Sequence, residues 1–233
     1  MTTPPPYEPG QPPYGAEPGP QAQGGQVRGR RRRSWFSMPD WWADQPEAPP
    51  LTEWARSHGW SISDGDAAED AGLVDLIASA PMRLYEYHLA RGVVRGQFGS
   101  WRMTAFEITY ERGRDQVRRY AVTAAPSLVP LPTLRLVPAR FWSHKTGGML
   151  AVPSGDQAFD LRWTLLVTED SLTARSLLAE PVRALLLASE DRDEIWFGAG
   201  QLAITRPDNH YPDLLDWHTK VLSTLLATLS FSS

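Results

Sequence analysis

The chain has no cysteine. A disulfide framework, a thiol nucleophile and a cysteine-ligated zinc are therefore excluded. No apolar run approaches the ~18–20 residues of a membrane span, and the first residues lack the apolar core of a signal peptide. The glycine signatures that cradle phosphates or expose a nucleophile are missing as well. There is no Gly-x-x-x-x-Gly-Lys-Ser/Thr, no Gly-x-Gly-x-x-Gly opening a helix and no Gly-x-Ser-x-Gly. Gly147-Gly148 and Gly198-x-Gly200 are too short for that work and read as turns. These absences weigh against the common enzyme classes, and no cofactor or metal is expected.

What is present is unevenly spread. Of the 233 residues 21 are proline, and 12 of these fall in the first 50. Residues 51–233 have ordinary apolar content, and a chain of that length buries about 70% of the surface it exposes when unfolded. The expected organisation is a Pro/Gly-rich tail over residues 1–50 and one folded domain over residues 51–233. The net charge of −4 hides a polarity: residues 1–33 balance at +3, residues 34–75 at −8 and the remainder at +1. A basic tail ahead of an acidic stretch can fold back on itself or present its arginines to an outside polyanion.

Residues 1–27 loosely repeat a Pro-Pro-Tyr unit among Gln and Gly, with too little apolar surface to offset the chain entropy. Disorder with polyproline II character is expected. Pro4-Pro5-Pro6-Tyr7 has the form read by WW domains, a match that so proline-rich a tail produces by chance. Behind it, Arg28, Arg30, Arg31, Arg32 and Arg33 precede Trp35, Phe36, Trp41 and Trp42. Near an anionic bilayer each arginine contributes ~1 kcal/mol, and tryptophan favours the headgroup layer. The same groups suit a protein partner, and less well the phosphates and unpaired bases of a nucleic acid. The bland alternative is a solvated linker whose tryptophans dock on the domain.

Further along, Leu51, Trp54, Ala55 and His58 mark one face of a short helix ending at Gly59, and Asp66–Ser79 reads as a second helix burying Leu73, Leu76 and Ile77. Period two follows. Tyr85, Tyr87 and Leu89 alternate with Glu86 and His88, and a strand after Gly92 runs through Val94 and Phe98. Trp101–Glu111 is a long strand with Phe106 and Ile108 on one face. Gly113-Arg114-Asp115 reads as a turn into Val117–Thr123, and Leu134–Val137 is a further strand. Residues 139–157 read as a loop and Phe159–Thr168 as a strand. Asp170 or Ser171 caps a helix, Pro181 opens another first turn, and Glu194–Phe197 with Gln201–Thr205 flank a hairpin turn. A last helix from Pro212 buries Leu215, Leu222, Leu225, Leu226 and Leu229. The expected fold is α+β: a mainly antiparallel sheet of about six to eight strands, with N-terminal helices, an inserted helix and a C-terminal helix packed on one face. A pleckstrin-like roll is the neighbouring possibility.

These segments resemble a large actinobacterial family of α+β domains with no assigned function. The pattern is carried by Trp54-Ala55-Arg56-Ser57-His58-Gly59-Trp60, Val93-Val94-Arg95-Gly96-Gln97-Phe98-Gly99 and Ala105-Phe106-Glu107. Leu128–Leu134, Phe159–Trp163, Asp170–Ala174 with Leu177, Leu178 and Pro181, and Trp196–Leu202 complete it. The resemblance spans roughly residues 51 to 230. It implies no catalytic residue, and it implies membrane-anchored relatives.

Among candidate chemical groups, His210, Asp213, Asp216 and His218 sit within nine residues. A helix from Pro212 cannot aim them all at one ion, so they read as a helix N-terminus with acids placed on its dipole. His58 and His88 read as packing or surface residues. Glu190, Asp191, Asp193 and Glu194 read as a solvated turn entering a hairpin. Glu107 is less bland: it lies mid-strand opposite Phe106 and Ile108, and Arg118 or Arg119 on the next strand can supply a partner. The reading favoured is a non-enzymatic binding or adaptor domain, cytoplasmic and peripheral at the inner membrane face, whose basic-aromatic tail engages an anionic membrane surface or a protein partner. The alternative is an enzyme or small-ligand domain with a polar site at Glu107, Arg118 and Arg119. Oligomeric state is left open by the sequence.

Overall fold

The alternation between Trp101 and Glu111 frames the molecule, because a strand with apolar residues on both faces must be covered on both. The computed structural model describes residues 51–82, 88–111, 117–139 and 147–231, without the side chains of 110, 111, 117 and 118. The elements are α1 (Leu51–Ser57), β1 (Ser61–Ser63), a 3-10 turn at Ala68–Asp70, α2 (Leu73–Ala78), β2 (Leu89–Phe98), β3 (Trp101–Glu111) and β4 (Val117–Pro126). After them come β5 (Leu134–Pro138), β6 (Leu150–Val152), α3 (Gln157–Asp160), β7 (Trp163–Val167), α4 (Leu172–Ser176), α5 (Glu180–Leu187), β8 (Glu194–Gly198), β9 (Gln201–Arg206) and α6 (Pro212–Ser230). The strands form one antiparallel sheet in the order β1-β2-β3-β4-β9-β8-β5-β7-β6.

The α+β class and the covering C-terminal helix agree with the sequence reading, and the sheet has nine strands among the described residues. The two outermost, β1 and β6, are three residues each, too short to register as a period. Short edges also limit pairing with foreign strands. The helices divide between the faces. Leu215 of α6 and Leu51 and Ala55 of α1 pack on Val94 and Ala105, while Leu222, Leu225 and Leu226 join Met103, Ile195 and Ile204 on the same face. Leu73, Leu76 and Ile77 of α2 instead cover Val93, Phe106, Val122 and Ala203 on the opposite face. The expectation of helices on a single face is corrected for α2, and the reason is β3 itself: Phe106 and Ile108 are fully buried and need a cover of their own.

Other differences are local. The helix expected over Asp66–Ser79 is broken into the 3-10 turn and α2, which Gly72 caps. Strand β2 runs straight through Gly92, which takes φ +56° where the register shifts between Arg91 and Val94, a bulge only glycine enters without strain. Phe159 belongs to α3, not to a strand, because Asp156 accepts from the amides of Ala158 and Phe159 and starts a helical turn. The β8–β9 turn has Ala199 at φ +49° and Gly200 at φ +74°, the two positive dihedrals of a tight hairpin whose twist matches its strands. The expected tyrosine alternation at Tyr85 and Tyr87 and the turn at Gly113 lie outside the described residues.

Candidate functional site

The tight β8–β9 turn sets which side chains meet at the far end of its hairpin. The ladder ends at Glu194 opposite Thr205, and one residue further Asp193 and Arg206 meet across the pair. Arg206 Nε donates to Oδ1 at 2.7 Å and Nη2 to Oδ2 at 2.8 Å. From above, α6 lays two neighbouring side chains on the same carboxylate: Trp217 Nε1 donates to Oδ2 at 2.7 Å and His218 Nε2 reaches Oδ1 at 3.4 Å. On its other side His218 Nδ1 is 3.1 Å from Thr123 Oγ1 of β4, which is 3.0 Å from His210 Nε2.

One proton arrangement satisfies every bond. A carboxylate only accepts, so His218 carries its proton on Nε2 and its Nδ1 accepts from the Thr123 hydroxyl, which accepts in turn from His210 Nε2. Burial pushes His210 down to about 3, with the charge of His218 adding to it. Burial also pushes His218 below its ordinary value, against the opposing pull of Asp193. Both imidazoles are neutral at pH 7. For Asp193, burial favours the protonated form, but the bonds from His218 and Arg206 outweigh it and hold the carboxyl well below the usual range.

The order hydroxyl, imidazole, carboxylate is that of a nucleophile relay. Here Thr123 and His218 have no exposed surface, and neither lines a described cleft. The arrangement docks α6 onto the sheet through hydrogen-bonded polar groups in an otherwise apolar seam, with His210 Nδ1 left buried without a partner.

The acidic run expected to be solvated is thus corrected at Asp191, Asp193 and Glu194, while Glu190 is exposed. Asp193 and Glu194 are 1% and 4% exposed, and Asp191 accepts from the Arg162 guanidinium and the Trp163 indole. Carboxylates go inside when a cation is delivered to them, and the hairpin register delivers Arg206. That signal is present in the sequence, since a two-residue turn at Ala199-Gly200 places 193 across from 206. The grouping of His210 with His218 is not, because Thr123 joins them from a strand far away in sequence.

Of the polar groups singled out from the sequence, Glu107 and Arg119 come together, Arg119 Nη1 standing 3.7 Å from Oε2. Glu107 Oε1 accepts from the His210 backbone amide at 2.8 Å, so it holds the chain entering α6. Arg118 pairs with Tyr110 in the β3–β4 register, and its side chain lies outside the described residues. Arg28, Arg30–Arg33, Trp35, Phe36, Trp41 and Trp42 lie outside them too. His58 stacks on Trp54 at the surface, ring centroids 4.0 Å apart.

Two clefts carry charged side chains in their lining. One of about 700 Å³ is lined by Ser61, Arg95, Gln97, Arg102 and Thr104. Its Arg95 is already committed to Asp70, Ser63 and Glu69. The other, of about 390 Å³, lies beside the buried network and is lined by Arg192, Arg206, Tyr211, Asp213 and Trp217 among others. Among the described residues no group of three or more His, Asp or Glu is placed to hold a metal ion, and no helix is long and apolar enough to cross a membrane.

The sequence matches no family model and no curated protein. Its fold is similar to that of the mycobacterial trehalose monomycolate transport factor A, TtfA, in a crystal structure with 16% identity and a TM-score of 0.56. The match covers 76% of this chain and 91% of that one. The likeness is one of fold, and its mycobacterial source is in keeping with the actinobacterial resemblance read from the sequence.

Proposed function

We propose that the chain is a non-enzymatic adaptor: a sheet-and-helix domain attached to an anionic membrane surface by the basic-aromatic segment Arg28–Trp42. The observation that carries the reading is the use made of the acid-base groups. Asp193, His218, Thr123 and His210 are spent on seating α6, and Glu107 is spent on the backbone of His210 and on Arg119. Similarity of fold to a protein named as a transport factor supports an accessory role over a catalytic one. Five arginines within six residues, followed by four aromatics, supply the charge and the interfacial anchors that such attachment needs.

The test is co-sedimentation of the full chain with anionic and with neutral vesicles at low and high salt. It is run beside a full-length variant carrying Arg28→Gln and Arg30→Gln through Arg33→Gln. Pelleting with anionic vesicles only, lost at high salt and in the variant, is the expected result. Equal behaviour of the two proteins rejects the membrane role and moves the search to protein partners of the domain.

A further inference from the structure

We infer that the cleft over Arg206 and Trp217 is a binding site for a neutral, hydroxyl-rich ligand, a sugar ring or sugar headgroup. Asp193 acts behind the cleft wall. It grips the Nε–Nη2 edge of Arg206 and the Nε1–H of Trp217 at the same time. A guanidinium and an indole that both line the cleft are therefore held by one buried anion, with little freedom left to lose on binding. Arg206 is 9% exposed, and its Nη1 has no hydrogen-bond partner among the described residues. The Tyr211 hydroxyl and the Asp213 carboxylate, which line the same cleft, have none there either.

Those three groups are a donor, a group that both donates and accepts, and an acceptor. Sugar hydroxyls, which donate and accept, complement such a set, while the ring C–H groups pack on an aromatic face. Charge argues against an anionic ligand. Arg206 is balanced by Asp193, Arg192 lies 3.5 Å from both Glu190 and Asp208, and Asp213 adds a further negative group. No surplus positive charge is left for a phosphate or sulfate. The volume of about 390 Å³ falls within the ~300–1,000 Å³ range of small-ligand sites. This inference goes beyond the adaptor role and does not depend on it, because it rests on residues of β8, β9 and α6 and their flanks alone.

The test follows the Trp217 indole N–H resonance of the intact, isotope-labelled chain during titration with maltose, with dodecyl maltoside, with a dodecyl detergent lacking sugar, and with inorganic phosphate. Trp217→Phe assigns the signal. A saturable shift with maltose is expected, weakened about 3–10-fold in Tyr211→Phe, the loss of one neutral hydrogen bond, and more in Asp213→Asn. Both positions lie on the cleft rim, and unchanged amide spectra elsewhere establish that the variants fold. A shift with the maltoside but with neither maltose nor the sugar-free detergent supports the site and assigns its source as a glycosylated amphiphile. Equal shifts with both detergents, a response to phosphate alone, or no response to any probe overturn it.

Discussion

Asp193 and Arg206 face each other through two parallel hydrogen bonds of 2.7 and 2.8 Å, and the same carboxylate accepts from the indole N–H of Trp217 at 2.7 Å. The hairpin, the C-terminal helix and one wall of a cleft thus converge on a single residue that is 1% exposed. Fork-to-carboxylate pairing is the strong form of the ion pair, and removing one partner leaves the other charge buried without compensation.

Asp193→Asn is therefore expected to cost about 3–5 kcal/mol, read as a fall in the urea midpoint with an unchanged slope. Asp170→Asn, which removes the partner of Arg175 in a surface pair, is the control. It should leave the midpoint where it was, since solvent screens exposed pairs. If the two variants behave alike, the buried network does not hold α6.

Acid should loosen the same seam in two stages. His210 and His218 have folded-state values below the ordinary 6.5, His210 at about 3, so the unfolded chain binds protons there that the folded chain refuses. Stability rises with pH through that window and falls as pH drops below about 6.5, by at most about 1.4 kcal/mol per pH unit for His210, with His218 contributing in the same direction. Asp193, with a depressed folded value, adds a second loss once pH falls below the ordinary 3.8. Urea midpoints measured between pH 7 and pH 3 test this, and His210→Gln should reduce the first slope. A flat profile would exclude neutral buried imidazoles.

Gly96 tests the seat of α1. A Cβ at that position would stand 2.1 Å from the ring of Trp60, which packs edge-on against Trp54 at 5.4 Å. Gly96→Ala should cost about 1–3 kcal/mol through overpacking and shift the tryptophan near-ultraviolet dichroism. A variant that melts with the parent would mean that Trp60 leaves its place freely.

Glu107 separates a holding role from a chemical one. Glu107→Gln keeps an oxygen for the His210 amide and should change stability little, whereas Glu107→Ala strands that amide and should cost about 1–2 kcal/mol. The comparison is made by thermal melting at pH 7. Equal losses in the two variants would place the charge, and its contact with Arg119, above the hydrogen bond.

Much of the frame is legible because it is local. The alternation of β3, the Gly-rich turn between β8 and β9, the prolines at the starts of α5 and α6 and the leucine stripe of α6 are each written within about twenty residues, where backbone preference and periodicity act. Ser171 reads as a cap and does accept from the Ala174 amide at 3.1 Å. Strands β1 and β6 escape because three residues hold no period. Phe159 reads as strand from its apolar neighbours, yet the capping aspartate outweighs them.

The sequence by itself determined which residues are apolar, where the chain turns and that the strands lie antiparallel, since these follow from side-chain pattern and backbone freedom over short stretches. Only the tertiary structure decided that α2 crosses to the far face. It likewise decided that α6 lays Trp217 and His218 on the buried Asp193, and that two histidines from the α6 region meet a threonine of β4. Such choices depend on which partner is delivered to a buried group. A charge or an imidazole leaves water only where another part of the chain supplies its hydrogen bonds, and that supply is settled when the layers close.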